Sequence, residues 1–235
     1  MKKGKLPKQN FSRRKFLKGI AGGTVGTIFL SSVPAIIFGE DVIIDGIPQN
    51  KNYIAQKFGV RLNGARLPIL NKADIVIIGG SLAGVAAALE FARAGVKVVL
   101  VEHRNYLGRE IAATLKPWVD LGKLAAQPPE PFASCFKKMQ AEGMLKGELK
   151  PGEIPLWIDA FKISTEDVLL EAGVELIYSS QPIETIINNG VLNGVVIGNK
   201  SGRQVVLGRI VIDATSTAIV ARLAEGTFEP VMTLM

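Results

Sequence analysis

Hydrophobic positions along the chain change their period, and each change marks an element. Asp74-Ile-Val-Ile-Ile78 is a continuous β-branched run ending at Gly79-Gly80, the pattern of a strand buried on both faces. Residues 82–94 (LAGVAAALEFARA) switch to helix formers with small residues on one face, and stop at Gly95. Val96 to Val101 is a second apolar run, closed by Glu102. The pattern then loses its period, and an inserted helical region is expected over about 111–158, with PGEIPLWIDAF as a loop leading onward. Residues 159–172 are amphipathic and stop at Gly173, and Val174 to Tyr178 reads as a third strand. Alternating segments at 182–188, 191–199 and 203–212 are separated by NNG and NKSG turns, which predicts a β-meander. A short helix is expected over 217–225. The order predicts an α/β fold built on a parallel sheet.

The N-terminus follows different rules. Residues 1–18 carry eight basic side chains and no acid, and residues 19–39 are uncharged. Ser12-Arg-Arg-Lys-Phe-Leu-Lys18 at their junction resembles the twin-arginine export signal of bacteria. That resemblance implies passage of an already folded protein across the inner membrane by the twin-arginine translocation machinery, to the periplasm or beyond. It also implies a cofactor acquired in the cytoplasm. The alternative is an uncleaved anchor, since residues 19–38 are long enough to span a bilayer. Val33-Pro34-Ala35 is the nearest approach to a small-x-small cleavage site. Residues 40–73 read as an N-terminal arm.

Charge changes the picture once the tail is set aside. The remaining residues hold 20 basic and 21 acidic side chains, so the body is near neutral and has no basic stripe for nucleic acid. Cys135 is the only cysteine and His103 the only histidine, which leaves no Cys/His metal cluster and no internal disulfide. Cys135 reads as a packing thiol. Trp157 reads as a packing residue, with a place in a site wall as the alternative.

The strand, glycine turn, helix, strand and acid from Asp74 to Glu102 form a dinucleotide-binding βαβ unit. Gly79 permits the tight turn. Gly80 keeps the loop permissive, and the first helical N–H groups, around Leu82 and Ala83, are placed to receive a pyrophosphate. Gly84 allows helix and strand to approach closely. Glu102 is placed to accept hydrogen bonds from a ribose and to repel a 2′-phosphate. Ser81 stands where the motif has glycine, with a hydroxyl placed to donate to a phosphate oxygen.

Leu107-Gly108-Arg109, the meander and Ile212-Asp-Ala-Thr-Ser216 carry a further resemblance. The order is similar to the Rossmann-like FAD/NAD(P)-binding domain of the glutathione-reductase-type superfamily, and more narrowly to the FAD-dependent oxidoreductase family. Arg109 replaces the second glycine of a Leu-Gly-Gly motif, and Ser216 the glycine of Ala-Thr-Gly. The resemblance covers about residues 74–225. It implies FAD as cofactor, with Gly79 to Gly84 at the pyrophosphate and Glu102 at the adenosine ribose. It implies adenosine-side contacts for His103 and Arg104, and adenine against the backbone near Ile183. Gly108, Arg109 and Glu110 would lie toward the pyrophosphate or flavin, with Ala214 and Thr215 closing the site. No Gly-Asp pair follows residue 215, so the family's C-terminal part is expected to be missing. Residues 226–235 would then be a truncated tail, and a second chain or the missing half a partner. The reading is the N-terminal portion of an exported flavoenzyme moving a hydride from a small organic substrate to flavin. The alternatives are a non-catalytic or partner-dependent nucleotide-binding fragment and an NAD-dependent dehydrogenase.

Overall fold

The computed structural model describes residues 41–43, 54–56, 59–62, 65–114, 117–145 and 152–227, all within the unit Phe38–Met235. The expected export signal at 1–39, including Val33 to Ala35, and the end of the expected tail lie outside the described residues. Four short strands, β1 (Asp41–Ile43), β2 (Ile54–Gln56), β3 (Gly59–Leu62) and β4 (Ala65–Leu67), pair antiparallel in sequence order. Then come β5 (Ile69–Ile78), α1 (Leu82–Arg93) and β6 (Val98–Val101), the βαβ unit legible in the sequence. β5 starts five residues before the run that predicted it, because its first half pairs with the meander rather than with β6.

The inserted region holds α2 (Arg109–Ala112), β7 (Trp118–Asp120), a 3₁₀ turn at Gly122–Ala126, α3 (Phe132–Ala141) and β8 (Glu153–Pro155). β8 falls in the stretch expected to be a loop, and it pairs antiparallel with β7. α4 (Ile158–Glu171), β9 (Glu175–Ile177), β10 (Gln181–Asn188), β11 (Val191–Asn199), β12 (Gly202–Asp213) and α5 (Ile219–Leu223) complete the described chain.

The main sheet runs β10-β11-β12-β5-β6-β9. β12, β5, β6 and β9 are mutually parallel, and β10 and β11 extend the edge antiparallel. Strand alternation divides the core into two layers. Ile75 and Ile77 face Val85, Ala88 and Leu89 of α1 and Leu169 of α4. Val76 and Ile78 face Val195, Ile197, Val206 and Val220 on the other side. A separate cluster, Phe132, Cys135, Phe136, Met139 and Phe161, fills the inserted region. Trp157 is 64% exposed, so it packs into none of these layers, contrary to the packing role expected of it.

Register does the positioning. Ile78 pairs with Val101 on one side and Asp213 on the other, and Val101 pairs with Ile177. The four parallel strands therefore end level, and their following loops share one edge. That edge is where open α/β sheets bind ligands.

Candidate functional site

A cleft of about 290 Å³ opens at this edge, lined by Gly79 and Ser81 after β5, Glu102 to Arg104 after β6, and Ala214 to Thr217 after β12. Arg109 and Ser180 to Pro182 also line it.

The turn after β5 is held by close backbone contact. Gly79 has φ +106°, and a Cβ there would stand 2.8 Å from the Ala214 carbonyl oxygen. A Cβ at Gly84 would stand 2.0 Å from the Gly79 carbonyl oxygen, so only glycine lets α1 start this close to β5. Ser81 caps α1: its Oγ accepts from Gly84 N at 3.1 Å. The same hydroxyl donates to the Ala214 carbonyl at 2.9 Å, stitching the β5 and β12 loops together. Its one proton is thus committed to protein, which corrects the expectation of a phosphate donor.

Glu102 is buried at the tip of β6, yet it borders the cleft. Its Oε2 accepts the Gly80 N–H at 2.5 Å, and its Oε1 accepts the Arg104 N–H at 2.8 Å. His103 Nδ1 lies 2.8 Å from the same Oε1. Three partners fix the carboxylate's direction and leave acceptor capacity for a ligand hydroxyl. Arg104 Nη1 is buried, 3.8 Å from Glu102, and makes no hydrogen bond. His103, half exposed and paired to Glu102, lines the cleft.

Asp213 organises the opposite loop. Its Oδ1 accepts from Thr215 N and Oγ1, and its Oδ2 from Val220 N and Ala221 N at 2.8 and 3.1 Å. One carboxylate thereby caps α5 and folds Ala214 to Thr217 over the cleft. Asp213 was not among the residues singled out from sequence, although its acid-then-helix spacing is a capping signal.

The expected site residues sort by depth. Gly79, Ser81, Glu102, His103, Arg104, Arg109, Ala214 and Thr215 line the cleft. Beside these, Gly80 O accepts the Gly108 N–H at 2.8 Å, and Glu110 Oε2, on a part-exposed side chain, accepts the Leu82 N–H at 3.0 Å. Gly108, at φ +65°, passes so near Phe161 that a Cβ would stand 2.8 Å from its ring. Ala83 is exposed and Gly84 buried on α1. Ile183 is at the register shift of β10, 41% exposed and turned toward Gly198, while its neighbours Ser180, Gln181 and Pro182 line the cleft. The polar stretch Tyr178 to Gln181 at the end of a parallel strand was the available signal for them.

Residues 74–230 match the FAD dependent oxidoreductase family. The chain belongs to that family. FAD is its cofactor, which decides against the nicotinamide alternative. The chain is similar to thiamine thiazole synthase of Aeropyrum pernix, 29% identical over 130 residues, covering 54% of this chain and 44% of the relative. It is similar to pseudooxynicotine dehydrogenase of a Pseudomonas species, 32% identical over 111 residues, covering 45% and 18%. It therefore spans less than half the length of either relative. Its fold is similar to a geranylgeranyl bacteriochlorophyll reductase-like protein of Thermoplasma acidophilum, with TM-score 0.50 and 18% identity over 66% of this chain and 42% of that one.

The donor set fits FAD. A carboxylate at the β6 tip suits a ribose diol, Arg104 has an unused buried N–H group, and Arg109 lines the cleft as a cation for a diphosphate, while the Leu82 N–H at the start of α1 is held by Glu110.

Proposed function

We propose that this flavoprotein is the N-terminal FAD-binding portion of an exported FAD-dependent oxidoreductase that takes a hydride from a small organic substrate. In this reading residues 1–39 are the twin-arginine signal and 74–225 the FAD-binding domain. A second chain or further sequence completes the substrate side. The cleft at the level ends of β5, β6, β9 and β12, with Glu102 at its floor, carries the proposal.

FAD when bound supplies the hydride-accepting isoalloxazine. The chain's own residues bind and orient. Glu102 accepts from the adenosine ribose hydroxyls, held in direction by Gly80 and Arg104. Arg104 completes its hydrogen bonding on the adenosine side. The Asp213-organised loop from Ala214 to Thr217 covers the cleft and limits water.

The test is the visible absorption spectrum of the full chain purified from cytoplasm, with the chromophore released by denaturation and identified. A two-banded flavin spectrum yielding FAD is expected. Glu102→Ala should retain at least about tenfold less FAD, the scale of losing two charge-assisted hydrogen bonds. A colourless protein that takes up no added FAD would overturn the reading.

A further inference from the structure

Two of the three positions where the chain departs from the family's glycines, Arg109 and Ser216, meet at the cleft. Arg109 Nη1 donates to Ser216 Oγ at 2.9 Å. Arg109 Nε lies 3.4 Å from Glu110 Oε1, and Glu110 Oε2 accepts the N–H of Leu82, the first residue of α1, at 3.0 Å. A continuous line runs from the β12 loop to the helix N-terminus: hydroxyl, guanidinium, carboxylate, amide.

A helix N-terminus carries roughly half a positive charge and is the usual seat of a dinucleotide's diphosphate. Here a carboxylate of the chain already sits on it. α1 has no acid of its own in its first turn, so Glu110 is the anion serving that end. A carboxylate and a diphosphate repel each other within a few ångströms, and one amide proton cannot serve both fully.

We propose that Glu110 is a displaceable occupant of the diphosphate seat, and that Arg109 is the cation exchanged between Ser216 and the incoming diphosphate. The proposal rests on the FAD-binding reading above. On binding, the Glu110 carboxylate leaves the Leu82 N–H, and Arg109 turns from Ser216 toward the diphosphate. Glu110 thereby keeps the empty site ordered and weakens cofactor affinity. A purely structural cap makes the opposite prediction: removing Glu110 would loosen α1 and weaken the cofactor.

The experiment titrates full-length apoprotein with FAD, followed by quenching of flavin fluorescence, with AMP as a competitor that lacks the diphosphate. Glu110→Ala should bind FAD about tenfold more tightly and Glu110→Gln about threefold, while Arg109→Ala should bind about tenfold more weakly. AMP affinity should change much less in all three. Melting by circular dichroism accompanies each titration, and Glu110→Gln, isosteric and able to keep the Leu82 bond, decides the matter if Glu110→Ala does not fold. FAD binding in both Glu110 variants equal to or weaker than wild type would overturn the proposal, as would AMP tightening as much as FAD. Wild type that binds no FAD would overturn the functional reading together with this one. Wild type that binds FAD, with no tightening in the variants, would overturn this one alone.

Discussion

Ser81 Oγ bridges two backbone groups of different elements, accepting from Gly84 N in α1 and donating to Ala214 O in the loop after β12. Glycine at this position would leave the first turn of α1 uncapped and the β12 loop untied from the β5 loop. Serine thus exchanges close backbone approach for a local staple, and Gly79 and Gly80 still supply the turn. Ser81→Ala removes both bonds, leaving the buried Gly84 N–H without that acceptor and the part-buried Ala214 carbonyl without that donor. The expected loss is about 1–2 kcal/mol of stability, read by urea denaturation. An unchanged midpoint would show that the staple contributes nothing. The same residue explains why the site was only partly legible at this scale. Glycines and the ribose carboxylate announce themselves by spacing, whereas a hydroxyl's single proton goes wherever the tertiary structure sends it.

At the scale of elements, β5 and α1 were legible because each is long, regular and followed by glycine, and β6 because its four residues are all apolar and closed by Glu102. The meander was legible from its alternation and its turns. The β1–β4 sheet was not, since strands of 3–4 residues hold too few positions to show a period. Neither was the β7–β8 pair, whose strands are of three residues. The direction of the Ile183 side chain shows the same limit, because the register shift in β10 is set by pairing with β11 and not by local sequence. Helices α3 and α4 carry a prediction of their own. Cys135 is buried between them, with Sγ 3.6 Å from Thr165 Oγ1. Burial pushes its thiol from 9.0 up to about 11, against a smaller opposing pull from Thr165. The folded state therefore keeps a proton that the unfolded state releases, and stability falls as pH rises from about 9 to 11, by at most about 1.4 kcal/mol per unit. Tyr178, also held protonated by burial and by Glu166, acts with the same sign at higher pH, so the Cys135 share is read by difference. Denaturation at pH 8.5 and 10.5 should show a fall in wild type that shrinks in Cys135→Ala. Equal falls in the two proteins would sink the assignment.

Across the whole molecule the charge is segregated: eight basic residues lie in the first 18, and the rest is near neutral. A basic patch meant for nucleic acid would be spread over a folded face. This one is linear, ends at Lys18 and adjoins 21 uncharged residues, the arrangement of a targeting segment. Among the described residues no helix is long and apolar enough to cross a membrane. Export of a folded protein also matches the site, because a nucleotide cofactor has to be enclosed before the chain leaves the compartment that makes it. Replacing Arg13 and Arg14 by lysine preserves charge and hydropathy but breaks the paired-arginine pattern. The variant should accumulate in the cytoplasm, still yellow, while wild type is recovered from the periplasmic fraction with FAD bound. Equal export of both would reject the twin-arginine route, since any charge-reading mechanism treats the two chains alike. Recovery of wild type in the membrane fraction, released only by detergent, would assign residues 19–38 to an anchor instead.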